Sequence, residues 1–312
     1  MPTILDGNRV RDQILRDLRP RVAALAAASR PPGLAVVLVG DDPGSQIYVR
    51  NKVKACAELG IAGHTLTPPA TISTDELLDI VEGLNQRPDI DGILVQLPLP
   101  PQVDTRRVLL AVAPEKDVDG FHPMNVGNLV AGRPGPRPCT PAGIMELLRQ
   151  YHIPVAGKRA VVVGRSDIVG KPMALLLLHA NATVTICHSR TADLPCVCRE
   201  GEILVAAMGR PAMLTADYIR PGAVVVDVGM NRIADPAEAA RIFRNSPERL
   251  ATLERKGSVL VGDVDPLAMQ EKSSAYTPVP GGVGPLTIAM LMSNTVSAAE
   301  AKAGLQPAGA PV

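Results

Sequence analysis

Apolar and polar positions follow two rhythms along this chain. "GLAVVLVG" (33–40) is an unbroken apolar, β-branched run, the pattern of a strand buried on both faces of a parallel sheet. "SQIYVRNKVKACAELG" (45–60) then takes helical spacing, with Ser45 placed to cap its start and Gly60 its end. "STDELLDIVEGLNQRP" (73–88) opens on Ser73 and Glu76, a capping box. "DGILVQLPLP" (91–100) reads as a strand stopped at Pro98, and "VDTRRVLLAVAP" (103–114) as a further helix. Strands alternating with helices predict a parallel α/β layer structure.

The rhythm breaks at "EKDVDGFHPMNVGNLVAGRPGPRPCTP" (115–141), rich in Gly and Pro, which reads as a functional crossing between domains. A second α/β unit follows. "KRAVVVGRSDIVGKPMALLLLHANATVTICHSR" (158–190) is strand, glycine turn, helix and strand. Later strands are expected at 202–209, 223–230 and 258–265. The charged, helix-prone 235–257 between the last two reads as a peripheral insertion. "GGVGPLTIAMLMSNTVSAAEAKAG" (281–304) is a glycine turn and a long apolar helix, and "LQPAGAPV" a disordered tail.

Composition narrows the function classes. The chain has 312 residues, which suggests about two domains. Lys plus Arg is 32 against 31 Asp plus Glu, so no net charge draws it to nucleic acid. Aromatics are 2% with no Trp, which leaves no base-stacking platform. No apolar run approaches the roughly 20 residues of a membrane span, and the start lacks a signal-peptide profile. Five unevenly spaced cysteines argue against a disulfide framework and for a reducing, cytoplasmic setting. Cys196 and Cys198 form an isolated pair, and His64, His122, His152 and His179 show no ligand spacing, so no metal site is expected.

The glycine turn carries the first chemistry. In "VVVGRSDIVGKP", Gly164 ends an apolar strand and Gly170 starts a helix whose amides can hold a pyrophosphate. Ser166 stands where the central glycine of the dinucleotide fingerprint would be. The next strand ends in His188, Ser189 and Arg190, not in the acidic residue that meets an NAD ribose. Arg190, with Arg165 inside the turn, can attract a 2′-phosphate, which favours NADP.

Tyr48 and Lys52 are spaced i, i+4 and share a helix face, whereas Lys54 points elsewhere. Short-chain dehydrogenases carry such a pair, but downstream of their glycine turn; here it comes more than a hundred residues before it. "GDDPGSQIYVRNKVKACAELGI", "DGILVQLPLP", "PEKDVDGFHP", "PCTPAGI", "VVVGRSDIVGKP" and "TPVPGGVGP" occur in this order. Together they closely resemble the bifunctional methylenetetrahydrofolate dehydrogenase/cyclohydrolase (FolD) family over residues 3–298. The main departure is the long stretch 235–257.

The resemblance implies a two-domain α/β enzyme: an N-terminal catalytic domain (1–138, with a C-terminal helix returning to it as 276–312) and an NADP-binding Rossmann-like domain (139–275). It implies NADP-linked oxidation of 5,10-methylenetetrahydrofolate and hydrolysis of the methenyl product, both in one interdomain cleft. It implies a cytoplasmic homodimer in one-carbon metabolism and purine biosynthesis. Lys52, Tyr48, Gln96 and Asp119 match the family's catalytic positions. Tyr48, Gln96, Leu97, Pro98, Asp119, Pro280, Gly281 and Gly282 would meet the folate. Gly164, Arg165, Ser166, Gly170, Ser189, Arg190, Gly209, Gly229 and Gly284 would meet the cofactor.

The residue chemistry agrees. Hydride transfer needs alignment more than an acid or base, because the cofactor carries the hard step. Hydrolysis needs proton management, and burial can bring a lysine towards neutrality. Lys52 is therefore the acid–base candidate, shielded by Tyr48 and oriented by Gln96. Asp119 would accept hydrogen bonds from pterin NH groups; alone it reads as a turn residue before Gly120. Cys139 and the methionines at 290 and 292 are expected to be structural. Two other readings are a hydroxy-acid dehydrogenase on the same plan and a non-catalytic NADP-binding sensor.

Overall fold

The computed structural model describes residues 1–305. The chain divides into two compact units, each discontinuous in sequence. One joins Met1–Val10 to Thr140–Thr287; the other joins Arg11–Cys139 to the chain from Ile288 onward. Residues 1–10 and 276–287, expected with the catalytic domain, thus belong with the dinucleotide-type unit. The expected tail lies, apart from Leu305, outside the described residues.

The described residues form eleven strands: β1 Thr3–Ile4, β2 Gly33–Val37, β3 Ala62–Leu66, β4 Gly92–Val95, β5 Arg159–Val163, β6 Thr183–Cys187, β7 Ile203–Ala206, β8 Val224–Asp227, β9 Asn231–Ile233, β10 Val259–Val261 and β11 Ala275–Tyr276. In the unit containing residues 11–139, β2 lies between β3 and β4 in a parallel sheet, with Leu34 opposite Gly63 and Gly92. Every residue of β2 and β4 is buried, as the unbroken apolar runs require. The helix Thr74–Gln86 is held at its start by the expected capping box and buries Leu77, Val81 and Leu84 at spacings of four and three. At its other end the buried Lys116 ammonium donates to the carbonyls of Leu84 (3.2 Å), Asn85 (2.6 Å) and Arg87 (2.8 Å), groups a helix end leaves open. Residues 288–302 of the C-terminal helix pack here, with Cys56 Sγ 3.6 Å from Met292 Sδ and Arg21 bonded to Glu300.

The other unit holds six parallel strands in the order β1-β11-β8-β7-β5-β6. Alternate residues feed two cores: Val161, Val163, Leu204 and Ala206 enter one, Ala160, Val162, Ile203 and Val205 the other. This is period two with both faces covered. The strand expected at 258–265 is shorter and lies outside this sheet, since β10 pairs antiparallel with β9. Between them sit the helices Pro236–Ile242 and Pro247–Lys256, and Ile233, Ile242, Phe243, Leu253 and Val259 share a small core. The expected insertion is thus a lobe with its own apolar centre. Its place in the parallel sheet goes to β11 and β1, whose two-residue lengths give no periodic signal.

Candidate active site

The helix Pro43–Leu59 carries Tyr48 and Lys52. Its N-cap is Asp42, not Ser45: the Asp42 carboxylate accepts from the Ser45 amide at 2.7 Å. Gly60 ends the helix in the left-handed region, as expected. The two lysines separate as their spacing demands. Lys52 is 8% exposed, while the Lys54 side chain is 75% exposed and pairs with Glu58 at 3.7 Å. Tyr48, one turn earlier, is 42% exposed, so it borders the Lys52 site at the surface.

Lys52 Nζ donates to Gln96 Oε1 at 2.9 Å. Gln96 follows β4, and its backbone extends the ladder by donating to Val37 O at 2.9 Å. Its side-chain amide donates to Leu97 O at 2.6 Å, which fixes the oxygen towards Lys52. Leu97 and Pro98 continue the same segment through a cis peptide bond.

Asp119 arrives on the loop that runs beside β4, where Ile93 N donates to Lys116 O at 2.7 Å. Its carboxyl is pushed up to about 7: surrounding protein strips its hydration, Lys52's charge opposes this, and Asp117 adds to it. Among the described residues, no hydrogen bond reaches that carboxylate. The turn role is played by the other aspartate of the motif. Buried Asp117 accepts from the amides of Gly120 (3.1 Å) and His122 (2.7 Å) and from Asn125 Nδ2 (2.9 Å). Sequence reasoning missed Asn294, whose Nδ2 donates to Val118 O (2.8 Å) and Arg137 O (3.0 Å) and anchors the Asp119 loop. Nothing in an apolar helix pattern marks that asparagine. Cys139 donates to Val118 O at 3.4 Å, and burial with nearby Asp119 raises its pKa far above that of an ordinary thiol. It is a packed thiol, as expected.

In the other unit, the candidate cofactor residues gather at the C-terminal ends of the strands, where doubly wound sheets bind dinucleotides. Gly164 N donates to Cys187 O at 2.9 Å, so the turns after β5 and β6 leave neighbouring strands side by side. A Cβ on Gly164 would lie 2.1 Å from Ala207 O, and one on Gly170 would lie 2.2 Å from Gly164 O. Both positions therefore demand glycine, and the backbone they leave bare is a cradle for a phosphate-bearing group. Ser166 Oγ accepts from the amides of Val169 (3.2 Å) and Gly170 (3.3 Å), shaping the turn. Arg165, Ser189 and Arg190 are exposed around it. The nearest acid after β6, Asp193, is committed to capping a short helix through Cys196 N at 3.3 Å. These residues fit a phosphorylated dinucleotide.

Gly229, Pro280, Gly281, Gly282 and Gly284 line one small cavity with Asp227 and Met230. The amides of Gly209 and Gly229 are taken, the first by Asp263 Oδ2 and the second by Asp227 Oδ1, both at 2.9 Å. Those two glycines can serve a cofactor only by letting it approach, not by donating to it.

Two family models match the chain: the tetrahydrofolate dehydrogenase/cyclohydrolase catalytic domain over residues 5–119 and the NAD(P)-binding domain of the same family over 138–303. The chain belongs to the tetrahydrofolate dehydrogenase/cyclohydrolase family. A "Bifunctional protein FolD" from Solibacter usitatus is 69% identical over 98% of this chain and all of its own. The bifunctional FolD enzyme of Campylobacter jejuni superposes with a TM-score of 0.88 at 42% identity, over 97% of this chain and all of that one. A Trypanosoma brucei FolD, solved with NADP cofactor and an inhibitor, gives 0.86 at 38% identity, over 97% and 98% of the two chains. The family's two-domain α/β organisation therefore holds here.

Proposed function

We propose that this protein oxidises 5,10-methylenetetrahydrofolate to the methenyl form with NADP and hydrolyses that product to 10-formyltetrahydrofolate. One observation carries the reading: a buried ammonium held at 2.9 Å by a neutral carboxamide, close enough to a carboxylate to be felt by it, that carboxylate accepting no hydrogen bond among the described residues.

Each group has a task. Asp119 accepts from the amino and ring NH groups of a pterin, which fill its open oxygens. Gln96 holds Lys52 without adding charge. In hydrolysis, water adds to the methenyl carbon, one of its protons ends on the departing ring nitrogen and the other is released to solvent; Lys52 Nζ, in its neutral amine form, accepts a proton from the water and delivers it to that nitrogen. Tyr48, exposed at the rim, covers the lysine once folate is bound. NADP supplies the hydride acceptor when present; Arg165 and Arg190 would hold its 2′-phosphate, and the Gly164–Gly170 turn its pyrophosphate. Pro280, Gly281 and Gly282 would face the folate and Gly284 the cofactor. The same reading makes the protein a cytoplasmic homodimer serving purine biosynthesis. The open edge strand β6, with Ile186 44% exposed, supports pairing between copies.

The test is a spectrophotometric assay with methylenetetrahydrofolate and NADP, then NAD. The methenyl absorbance should rise and decay, faster with NADP. Oxidation of a small hydroxy acid with no methenyl signal would replace this reading, and tight NADP binding without turnover would favour a sensor.

A further inference from the structure

Two buried aspartates, one of them lining the cavity, face each other across the bases of two loops. Asp227 closes β8 in "DVG" (227–229), and Asp263 follows β10 in "GDV" (262–264), so each aspartate has a glycine within two residues of it. Each carboxylate sits over the glycine of the other motif. A Cβ on Gly262 would lie 1.8 Å from Asp227 Oδ2, and one on Gly229 would lie 2.4 Å from Asp263 Oδ1. Asp227 Oδ1 accepts from the amides of Gly229 (2.9 Å) and Asp263 (2.8 Å), and Oδ2 from Val264 N (2.9 Å). Asp263 Oδ2 accepts from Met208 N (2.6 Å) and Gly209 N (2.9 Å), and Oδ1 from Arg210 N and Asn231 Nδ2, both at 2.9 Å.

We propose that this reciprocal clasp positions NADP: Asp227 and Asp263 are positioning residues that fix the loops after β7 and β8 against which the cofactor lies. The inference rests on the reading of the chain as an NADP enzyme. Three successive amides, 208–210, converge on one carboxylate, an arrangement that elsewhere in proteins captures a bound anion. Here the chain supplies its own anion, so the loop is already shaped before any cofactor arrives. The clasp reaches a third loop as well. Thr277 Oγ1 accepts from Asp227 N at 2.8 Å and donates to Asp227 O at 3.3 Å, and Thr277 leads directly into the Pro278–Gly284 wall of the cavity. The inserted lobe, residues 231–261, leaves and re-enters between the two halves, so the clasp also closes its base. Burying two carboxylates is costly unless their oxygens are filled, and here the chain after β7, β8 and β10, with Asn231 of the lobe, fills them.

Asp263→Asn tests this, because the amide group turns a donor towards backbone donors. NADP KM should rise about tenfold while kcat for methylenetetrahydrofolate oxidation stays within about threefold. NADPH fluorescence, titrated without folate, should show the same loss of affinity. Unchanged NADPH binding in a folded Asp263→Asn protein overturns the proposal, as does an equal loss of both activities with NADP KM unchanged. If that variant does not fold, Thr277→Val should weaken NADPH binding and Thr277→Ser restore it; identical binding in the pair overturns the clasp. Wild type that binds NADPH yet leaves folate untouched refutes the folate reading alone, and wild type that binds no NADPH refutes both.

Discussion

Asp119 and Asp227 share a residue type and a carboxyl pushed up to about 7 by burial, yet they are opposites in bonding. Asp227 has three amides on its oxygens; among the described residues, Asp119 has no hydrogen bond on its own. The lysines repeat the contrast. Lys116 spends its three donors on three carbonyls, whereas among the described residues Lys52 makes one bond, to a side chain held for it. Burial of charge alone therefore marks no active site in this molecule. Buried charge with unfilled bonding capacity does, because that capacity is what a substrate can use.

The largest effect that would sharpen this contrast is on rate. Lys52→Met should lower cyclohydrolase turnover by about 10²–10⁴-fold and the dehydrogenase less, with melting temperature little changed. Lys54→Met should be indistinguishable from wild type in both assays, and the reverse pattern would break the assignment. Next is stability. Lys116→Met removes a donor from three carbonyls, of which Leu84 O and Arg87 O keep a backbone amide while Asn85 O does not, and should cost about 2 kcal/mol in urea unfolding, with kcat of the remaining folded protein unchanged. A near-neutral result would mean that saturated and unsaturated charges do not differ as argued. The smallest effect is a pH slope. The folded Asp119 carboxyl holds its proton more tightly than the unfolded chain, so ionisation costs the folded state progressively as pH rises from about 4 to about 7. Asp119→Asn cannot ionise; its melting temperature should gain on wild type across that window and level off above it. Asp227→Asn removes a similar slope but puts an amide among three N–H donors, so it should be less stable than wild type throughout.

Much of this was legible in the chain because it rests on local pattern. The buried strands β2, β4, β5 and β7 are apolar runs, and the Ser73 capping box forms as written. The separation of Lys52 from Lys54 follows from helical spacing alone. What escaped depends on partners distant in sequence or on close competition. Asp42 caps the Lys52 helix ahead of Ser45, since two good capping residues stand three apart and only backbone geometry chooses between them. β10 has the composition of a sheet strand but pairs with β9, a choice set by where the lobe folds back. In "KDVDG" either aspartate could make the turn; only the structure shows Asp117 doing so and Asp119 left open. The commitment of the Gly209 and Gly229 amides was invisible because their acceptors, Asp263 and Asp227, gave no local signal beyond a nearby glycine in "GDV" and "DVG".

Both compact units draw residues from near each end of the chain. During synthesis on a ribosome, neither set is complete before residue 287 has been made. The six-stranded sheet waits for β11, and the unit built on β2, β3 and β4 waits for Asn294 and Glu300 to emerge. A nascent chain stalled before that point would expose apolar strands with no partner, which makes it the stage at which this protein most needs protection from aggregation.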